Sequence, residues 1–276
     1  MKRKYFAWTL APLLIVVAAK AQVAPAYPNP EDGKVQKGAY DNPYFGLHYP
    51  LSAGWSEDLQ GPVPSISAYY SLVSLKPDGA LTATLLISAQ DDFFAVPPVN
   101  SAVEFLKQMN DHLDSSLTAT APPAEMEIAG RKFAHFTYGG AALYHSLFAT
   151  TVRCHTLIFS ITSGDLDRIE EVAASLKKMT FSDVHAPSCV TDYATPDHLA
   201  QRVTPQMIGP RFGSVPVRII IGPRGNVAHV HAIAGFPDQV KSTKEALAQW
   251  KFKPYEVKGK AEDVETGLLF QFPARE

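Results

Sequence analysis

Short runs in which hydrophobic and polar residues alternate fill much of the chain between residues 65 and 162. These runs are rich in β-branched and aromatic side chains, and a period of two is typical of strands that bury one face. Turn-forming residues separate the runs at 76–79 and 139–140, where the chain of an antiparallel sheet would reverse. The pattern predicts six strands, at 65–75, 81–89, 125–128, 132–138, 143–152 and 155–162.

Two stretches show instead the spacing of amphipathic helices. Asn100 or Ser101 precedes the first stretch as a cap, and Glu104 follows three residues after Ser101, as in a capping box. Asp165 precedes the second, which ends in two lysines at 177–178, where the helix dipole favours positive charge. A short strand is expected at 179–182. The apolar positions are Val103, Leu106, Met109 and Leu113 in the first helix and Leu166, Ile169, Val172, Ala173 and Leu176 in the second.

This order of elements predicts an α+β domain over residues 43–182, with helices covering a mostly antiparallel sheet. The opening FGLHYP…GW at 45–55 and the final helix followed by MTF at 179–181 resemble the PsbP-like family of small α/β/α sandwich domains. The resemblance implies an α/β/α sandwich. It also implies partner binding without catalysis, since members of that family mostly bind partners.

Two segments lack periodicity and flank this domain. Residues 22–42 are rich in proline, glycine and charge, which predicts a disordered leader with order beginning near Tyr44. Prolines crowd together with polar residues after residue 183, which predicts a linker or extended arm at 183–202.

The C-terminal part combines the two patterns on a smaller scale. Alternation at 214–221 and 227–233 predicts two strands joined by a tight turn at 222–225. A helix is expected after Gly235, followed by a last strand at 265–272, which completes a β-β-α-β unit of about 60 residues. The helical positions that share one face are Val240, Thr243, Leu247 and Trp250.

The segment VRIIIGPRGNVAHVHAIAGFPDQVKSTKEALAQWKFKPYEVKGK…LLFQF resembles the C-terminal domain of TonB-type energy-transducing proteins. The matching features are a G-x-x-G turn between two strands, a helix ending in A-x-x-x-W-x-F-x-P, a Gly-Lys turn, and a final strand ending in phenylalanine. The resemblance covers about residues 203–273. It implies a small sheet with a packed helix that works in the periplasm as a protein-binding module.

The W-x-F-x-P ending predicts a structural role for Trp250, Phe252 and Pro254. Trp250 completes the apolar stripe of the helix, Phe252 continues inward, and Pro254 prevents the helix from resuming. Lys251 and Lys253 then alternate outward. We therefore interpret the aromatic and basic residues here as packing elements and not as a ligand-gripping patch.

The N-terminus has the three parts of a secretory signal peptide, predicted at 1–21. A charged start precedes an apolar run at 6–19, and Ala19-Lys20-Ala21 forms a cleavage site before Gln22. An uncleaved membrane anchor is the alternative. The run of 14 residues is shorter than the roughly 20 that span a bilayer, and Pro12 interrupts it.

Export affects both charge and cysteine chemistry. Removal of the four basic residues of the signal peptide leaves 21 basic and 27 acidic residues, a net charge of −6. A mildly acidic surface argues against nucleic acid as a partner. Cys154 and Cys189 can pair in an oxidising compartment, closing a loop of about 35 residues. Two separate thiols remain the alternative.

Histidines are the candidate metal ligands. His229 and His231 are two residues apart on a predicted strand and share one face. We predict instead that both face solvent while their neighbours Val230 and Ala232 pack inward. His135, His145 and His155 recur every ten residues, which suggests either a cluster across adjacent strands or the accidental spacing of a meander.

Motifs of the common enzyme and nucleotide-binding classes are absent from the sequence. It contains no G-x-S-x-G elbow, P-loop or dinucleotide fingerprint. We predict no catalytic residue, no metal site and no cofactor. Phe93-Phe94 is expected to anchor its loop on the core, the alternative being insertion into a partner.

These observations predict an exported, non-enzymatic, two-domain binding protein of the bacterial cell envelope. Strand addition to the last strand is the expected binding mode, because a small sheet leaves an open edge. The partner-binding residues are then Glu265, Gly267, Leu269 and Gln271. The partner is an envelope protein or peptide, such as an outer-membrane receptor.

Two alternatives remain open. The first is a membrane-anchored TonB-type transducer for outer-membrane transport, which would keep its N-terminal segment and contact the membrane through it. A folded domain here occupies the place of the long proline-rich spacer of such transducers. The second is an enzyme that uses the histidines of the first domain.

Overall fold

The structure is a computed structural model. The residues that it describes are 27–60, 64–65, 67–182, 186–206 and 211–273. The predicted signal peptide lies outside these ranges. The helices are α1 Ala102–Asp111, α2 Leu166–Ser175 and α3 Pro237–Leu247. The strands are β1 Lys34–Gln36, β2 Ala39–Asn42, β3 Leu47–Pro50, β4 Trp55–Gln60, β5 Tyr69–Pro77, β6 Ala83–Asp91, β7 Thr118–Ala119, β8 Ala124–Ile128, β9 Arg131–Gly139, β10 Tyr144–Val152, β11 His155–Ser163, β12 Thr180–Phe181, β13 Ser188–Cys189, β14 Leu199–Gln201, β15 Gly213–Ile221, β16 Val227–Ala232, β17 Lys251–Phe252, β18 Tyr255–Val257, β19 Lys260–Glu262 and β20 Val264–Phe272.

The N-terminal unit, which comprises β1–β12 with α1 and α2, is built on one antiparallel sheet between two helices. Its strand order is β4-β5-β6-β11-β10-β9, with β7 and β8 both paired to β9. Leu106 of α1 packs with Leu147 on one face, whereas Ile169 of α2 packs with Phe148 on the other. Leu147 and Phe148 contact different helices because successive residues of a strand point to opposite faces of the sheet. The α+β class and the α/β/α layering predicted from the sequence are confirmed.

The two predicted helix starts are also confirmed. Ser101 Oγ accepts a hydrogen bond of 3.2 Å from the amide of Glu104 at the start of α1. The carboxylate of Asp165 accepts one of 2.9 Å from the amide of Asp167 at the start of α2. Each contact satisfies an amide that has no partner within its own helix.

The prediction of a disordered leader at 22–42 is wrong for its described part. Residues Pro30–Asp32 form a 3₁₀ turn, and β1 and β2 form a hairpin that continues into β3 and β12. Tyr40 is buried in the main core. The glycine and charge that indicated disorder belong to the hairpin turn, where Lys37 and Gly38 both have positive φ.

The predicted linker at 183–202 is an extended arm in its described part. The arm contains β13 and β14 and pairs twice with the C-terminal module, which comprises β15–β20 with α3: β13 lies beside β20, and β14 lies beside β17. Tyr193 is buried between these contacts, and its hydroxyl donates a hydrogen bond of 2.7 Å to the carbonyl of Lys253. These contacts hold the arm on the module.

The C-terminal module has the predicted β-β-α-β core. Its sheet has the order β13-β20-β15-β16, and α3 packs against β15 and β16. The turn between β15 and β16 requires glycine at Gly225, because its φ is +73° and a Cβ there would overlap the carbonyl oxygen of Phe252. The amide of Phe252 in turn donates to the carbonyl of Gly225 at 2.8 Å. Within the described ranges, no helix is both long and apolar enough to cross a membrane.

Candidate partner-binding edge

Strand β20 has one fully paired edge and one edge that is paired only at its start. Its pairing with β15 is continuous over nine residues, from Val264 to Phe272. On the other edge, β13 pairs in parallel with Val264 and Glu265 alone. Among the described residues, no strand pairs with this edge beyond Glu265. We call residues 267–271 of β20 the open edge.

The register identifies which backbone groups point to the open edge. The amide of Val190 donates to the carbonyl of Glu265 at 3.0 Å, so the polar groups of Glu265 point away from β15. In an antiparallel ladder this direction alternates with each residue. The amide and carbonyl groups of Gly267, Leu269 and Gln271 therefore also point away from β15. No partner for them occurs among the described residues.

The side chains of the open edge that point away from the module core are small or exposed. Phe93, from the loop after β6, covers Gly267, where a Cβ would lie 2.8 Å from the Cβ of Phe93. Leu269 is 51% exposed. Gln271 is also exposed, and its Oε1 accepts a hydrogen bond of 2.8 Å from the hydroxyl of Ser214. A partner strand would thus reach the backbone here without displacing a buried side chain.

Glu265 requires a correction, because its side chain is buried and cannot contact a partner. Its carboxylate accepts hydrogen bonds from Arg218 Nε at 3.1 Å, Arg153 Nη2 at 3.0 Å and Tyr44 Oη at 3.0 Å. Its backbone carbonyl is already bonded to Val190. Glu265 therefore connects the module to the N-terminal unit, and we omit it from the partner-binding set.

Arg218 is the centre of this buried charge cluster. Its Nη1 lies 2.8 Å from Asp91 Oδ1 at the end of β6, in addition to its contact with Glu265. The cluster contains two guanidinium groups and two carboxylates, so its charges balance, as burial requires. The buried contacts of Arg218 were not predicted from the sequence. The available signals were an arginine inside the apolar run SVPVRIII and the acidic pair Asp91-Asp92 at a strand end.

The local environment shifts the pKa values of two side chains, Glu265 and His155. Burial alone would raise the pKa of Glu265, but the guanidinium groups of Arg218 and Arg153 lower it below its ordinary value. Burial lowers the pKa of His155 well below its ordinary value, and Arg218 adds to this effect. Glu265 is therefore ionised and His155 neutral near pH 7.

A disulfide lies next to the cluster. Cys154, in the turn between β10 and β11, is bonded to Cys189 of β13, and their Cα atoms are 6.2 Å apart. The first of the two alternatives for the cysteines is therefore confirmed. Because Arg153 precedes Cys154, the covalent bond and the charge cluster join the two parts of the chain at one place.

The predicted solvent-facing arrangement of His229 and His231 is wrong. His231 is buried, and its Nε2 lies 2.8 Å from Glu31 Oε1; His229 Nε2 lies 3.0 Å from Asn29 Oδ1. Both histidines thus contact the segment before β1. The described residues contain no group of three or more histidine, cysteine or acidic side chains that could hold a metal ion.

The three histidines of the first unit are not neighbours. His135 lies opposite Phe148 and His145 opposite Tyr138, which places the two rings on opposite faces of the sheet. His155 is buried beside the charge cluster. The regular spacing is that of a meander.

Two of the three W-x-F-x-P residues lie in the core of the C-terminal module. Trp250 and Phe252 are buried in the module core, and Trp250 Nε1 donates a hydrogen bond of 2.7 Å to the carbonyl of Val203. Trp250 lies three residues beyond the end of α3. Lys253 and Pro254 are exposed.

Comparison with known proteins finds a family match in the C-terminal quarter of the chain. Residues 210–273 match the family model of the Gram-negative bacterial TonB protein C-terminal. The predicted resemblance is confirmed over these residues. No match was found among curated proteins.

Solved structures similar to the chain include the solution structure of cyanobacterial PsbP (CyanoP) from Synechocystis sp. PCC 6803. It is 14% identical, with a TM-score of 0.38, over 60% of this chain and 99% of that chain. Another is a crystal structure from Bacteroides thetaiotaomicron VPI-5482, also 14% identical, with a TM-score of 0.33, over 55% of this chain and 51% of that chain.

Proposed function

We propose that this protein is an exported, non-enzymatic binding protein of the bacterial cell envelope, and that it captures an extended segment of a partner by strand addition. The open edge at 267–271 is the binding site. The observation that carries this proposal is the row of backbone amides and carbonyls at Gly267, Leu269 and Gln271, which point away from β15. An extended peptide satisfies such groups by completing the ladder.

The arm supports this use of the edge. Its β13 residues already pair with the first two residues of β20, in parallel orientation. A partner strand would continue the sheet where β13 stops. The captured segment is short, because the open edge spans five residues.

The family match supports an envelope partner, such as an outer-membrane receptor, and a periplasmic location. The boundaries that we propose are a signal peptide at 1–21, a PsbP-like domain at 43–182 and a TonB C-terminal-like domain at 203–273.

The test is substitution of Leu269 by proline. Proline removes the amide that the partner strand would use, and an edge position whose N–H points to solvent tolerates it. We expect Leu269→Pro to keep the circular dichroism spectrum of the wild type and to lose the crosslinked partner in pull-downs from envelope extracts.

Gln271→Ala is the matched control, because it removes an exposed side chain and keeps the backbone amide. We expect it to capture the partner as the wild type does. Undiminished capture by Leu269→Pro would exclude the open edge as the binding site.

A further inference from the structure

We propose that the N-terminal unit determines which segments the open edge accepts, by offering a cleft for one bulky apolar side chain of the captured strand. This inference rests on the proposed function and deepens it. The partner is then an extended segment with a large aliphatic or aromatic residue on the side that faces the N-terminal unit.

The cleft lies between the open edge and the loop after β6. Its volume is about 590 Å³. The loop contributes Phe93, Phe94, Ala95 and Val96, and β20 contributes Gly267 and Leu269. The N-terminal unit therefore forms one wall of the cleft, and the C-terminal module forms its floor.

The alternation of side chains along β20 places the cleft on the face of the sheet opposite the module core. Val264, Phe270 and Phe272 point into the module core. Gly267 and Leu269 lie at the alternate positions and face the loop instead. Every second side chain of a strand added at the open edge would point the same way, toward the cleft.

The loop wall is fixed before binding. The amide of Phe93 donates to Asp91 Oδ1 at 3.0 Å, and that of Phe94 donates to the Asp91 carbonyl at 3.2 Å. Phe94 packs against the main core. The Arg218 guanidinium carbon lies 4.4 Å from the centre of the Phe93 ring. A wall that is already ordered loses little conformational entropy on binding.

The rim of the cleft is apolar and accessible. Val96 is 93% exposed and Leu269 is 51% exposed. Exposed apolar side chains that meet beside an open strand edge favour burial by a partner. An apolar residue in the cleft would cover both, and the gain grows with the apolar area removed from water.

The arm fixes where the captured strand begins. After Val190 the arm leaves β20, while Thr266 Oγ1 donates a hydrogen bond of 3.1 Å to the carbonyl of Thr191. Thr191 and Asp192 close one end of the cleft. A partner strand must therefore start beyond them, which aligns one of its side chains with the cleft.

The test uses peptides selected by the protein itself. A random 12-residue display library is selected on the immobilised wild type, and a recovered peptide is synthesised for calorimetry. We expect an extended sequence with a bulky apolar residue at one fixed position. Replacing that residue by alanine should weaken binding to the wild type about tenfold.

The same two peptides are then measured against three variants. Val96→Ser/Leu269→Ser removes the apolar rim and keeps the backbone; it should bind both peptides with affinities within about twofold of each other. Leu81→Ser changes a residue that is 67% exposed elsewhere on the N-terminal unit, and it should behave as the wild type. Leu269→Pro should bind neither peptide.

The outcomes separate the two proposals. If Leu269→Pro abolishes binding but no apolar preference exists, or the preference persists in Val96→Ser/Leu269→Ser, the cleft inference fails and strand addition stands. If Leu269→Pro binds as the wild type does, or the library yields no binder, both proposals fail.

Discussion

Arg218 Nη1 lies 2.8 Å from Asp91 Oδ1, although the two residues belong to different parts of the chain and their side chains are at most 1% exposed. This pair and Glu265 place opposite charges in the buried interior of the protein. The contact therefore couples the stability of the C-terminal module to that of the N-terminal unit.

Replacing Arg218 by methionine should lower the free energy of unfolding by about 3–5 kcal/mol, because two buried carboxylates lose their main counter-charge. Urea unfolding monitored by tryptophan fluorescence measures this. Arg211→Met removes an exposed arginine 3.8 Å from Asp238 and should change stability by less than about 1 kcal/mol. Equal effects of the two substitutions would contradict a central role for the cluster.

Removing the disulfide should cost about 2–4 kcal/mol, because the bond restricts a loop in the unfolded chain. The comparison is between wild type and Cys154→Ser/Cys189→Ser by thermal denaturation, with and without reductant. Reductant should lower the melting temperature of the wild type to that of the variant and leave the variant unchanged. A wild type that reductant does not affect would argue against the bond.

Trp250→Ala should lower the free energy of unfolding by about 3–5 kcal/mol, because the indole fills the module core and donates to Val203. Lys253→Ala is the control, because Lys253 is an exposed neighbour of Trp250 and does not pack in the core. A Trp250→Ala protein of wild-type stability that had lost partner capture would restore the interpretation of this stretch as a gripping patch.

The contribution of His155 to stability should fall as pH drops below about 6.5, the ordinary pKa of histidine. The pKa of His155 is lowered in the folded state, so the unfolded chain binds its proton first, and the stabilisation present above pH 6.5 is lost on acidification. Asp91, Arg218, Tyr44 and Tyr70 surround the ring. We expect His155→Phe to flatten the slope of unfolding free energy between pH 7 and pH 5.

His112→Phe, at an exposed position after α1, is the matched control for that slope. The comparison concerns the slope and not the absolute stability, since loss of the hydrogen bond between His155 Nδ1 and the Arg153 carbonyl also destabilises the variant. An unchanged slope in His155→Phe would show that this ring does not cause the acid sensitivity.

The mature protein should begin at Gln22, because Ala19-Lys20-Ala21 has the small residues of a cleavage site. Mass spectrometry of the exported protein measures its N-terminus directly. A retained residue 1 would favour the anchored alternative, in which the N-terminal segment holds the protein in the inner membrane.

Helix caps and hydrophobic alternation, which depend on residues close in sequence, were sufficient to predict most of the helices and longer strands. The caps at Ser101 and Asp165 and the alternation in β15 depend on residues close in sequence, and each element was found within a few residues. The prediction of disorder was wrong at Lys37-Gly38, because the residue types that are common in disordered segments also form hairpin turns, as they do here.

The role of Glu265 could not be predicted from local pattern. Its partner Arg218 is 47 residues away and is brought to it by the pairing of β15 with β20, whereas Arg153 is 112 residues away and reaches it only through the packing of the C-terminal module on the N-terminal unit. An acidic residue at the start of a strand is usually exposed, so the sequence indicated a partner contact. The backbone direction at Gly267, Leu269 and Gln271, by contrast, follows from the alternation that the sequence already contains.

The two residues of β13 also affect how copies of this protein behave toward each other. A long bare strand edge invites pairing between identical chains and leads to insoluble assemblies. The arm covers the first part of β20, and the loop that contains Phe93 lies beside the next part. The open edge, residues 267–271, therefore remains unpaired next to the cleft. Edge-to-edge pairing between two copies is therefore limited to these five residues, and so short an edge lowers the tendency to form fibres.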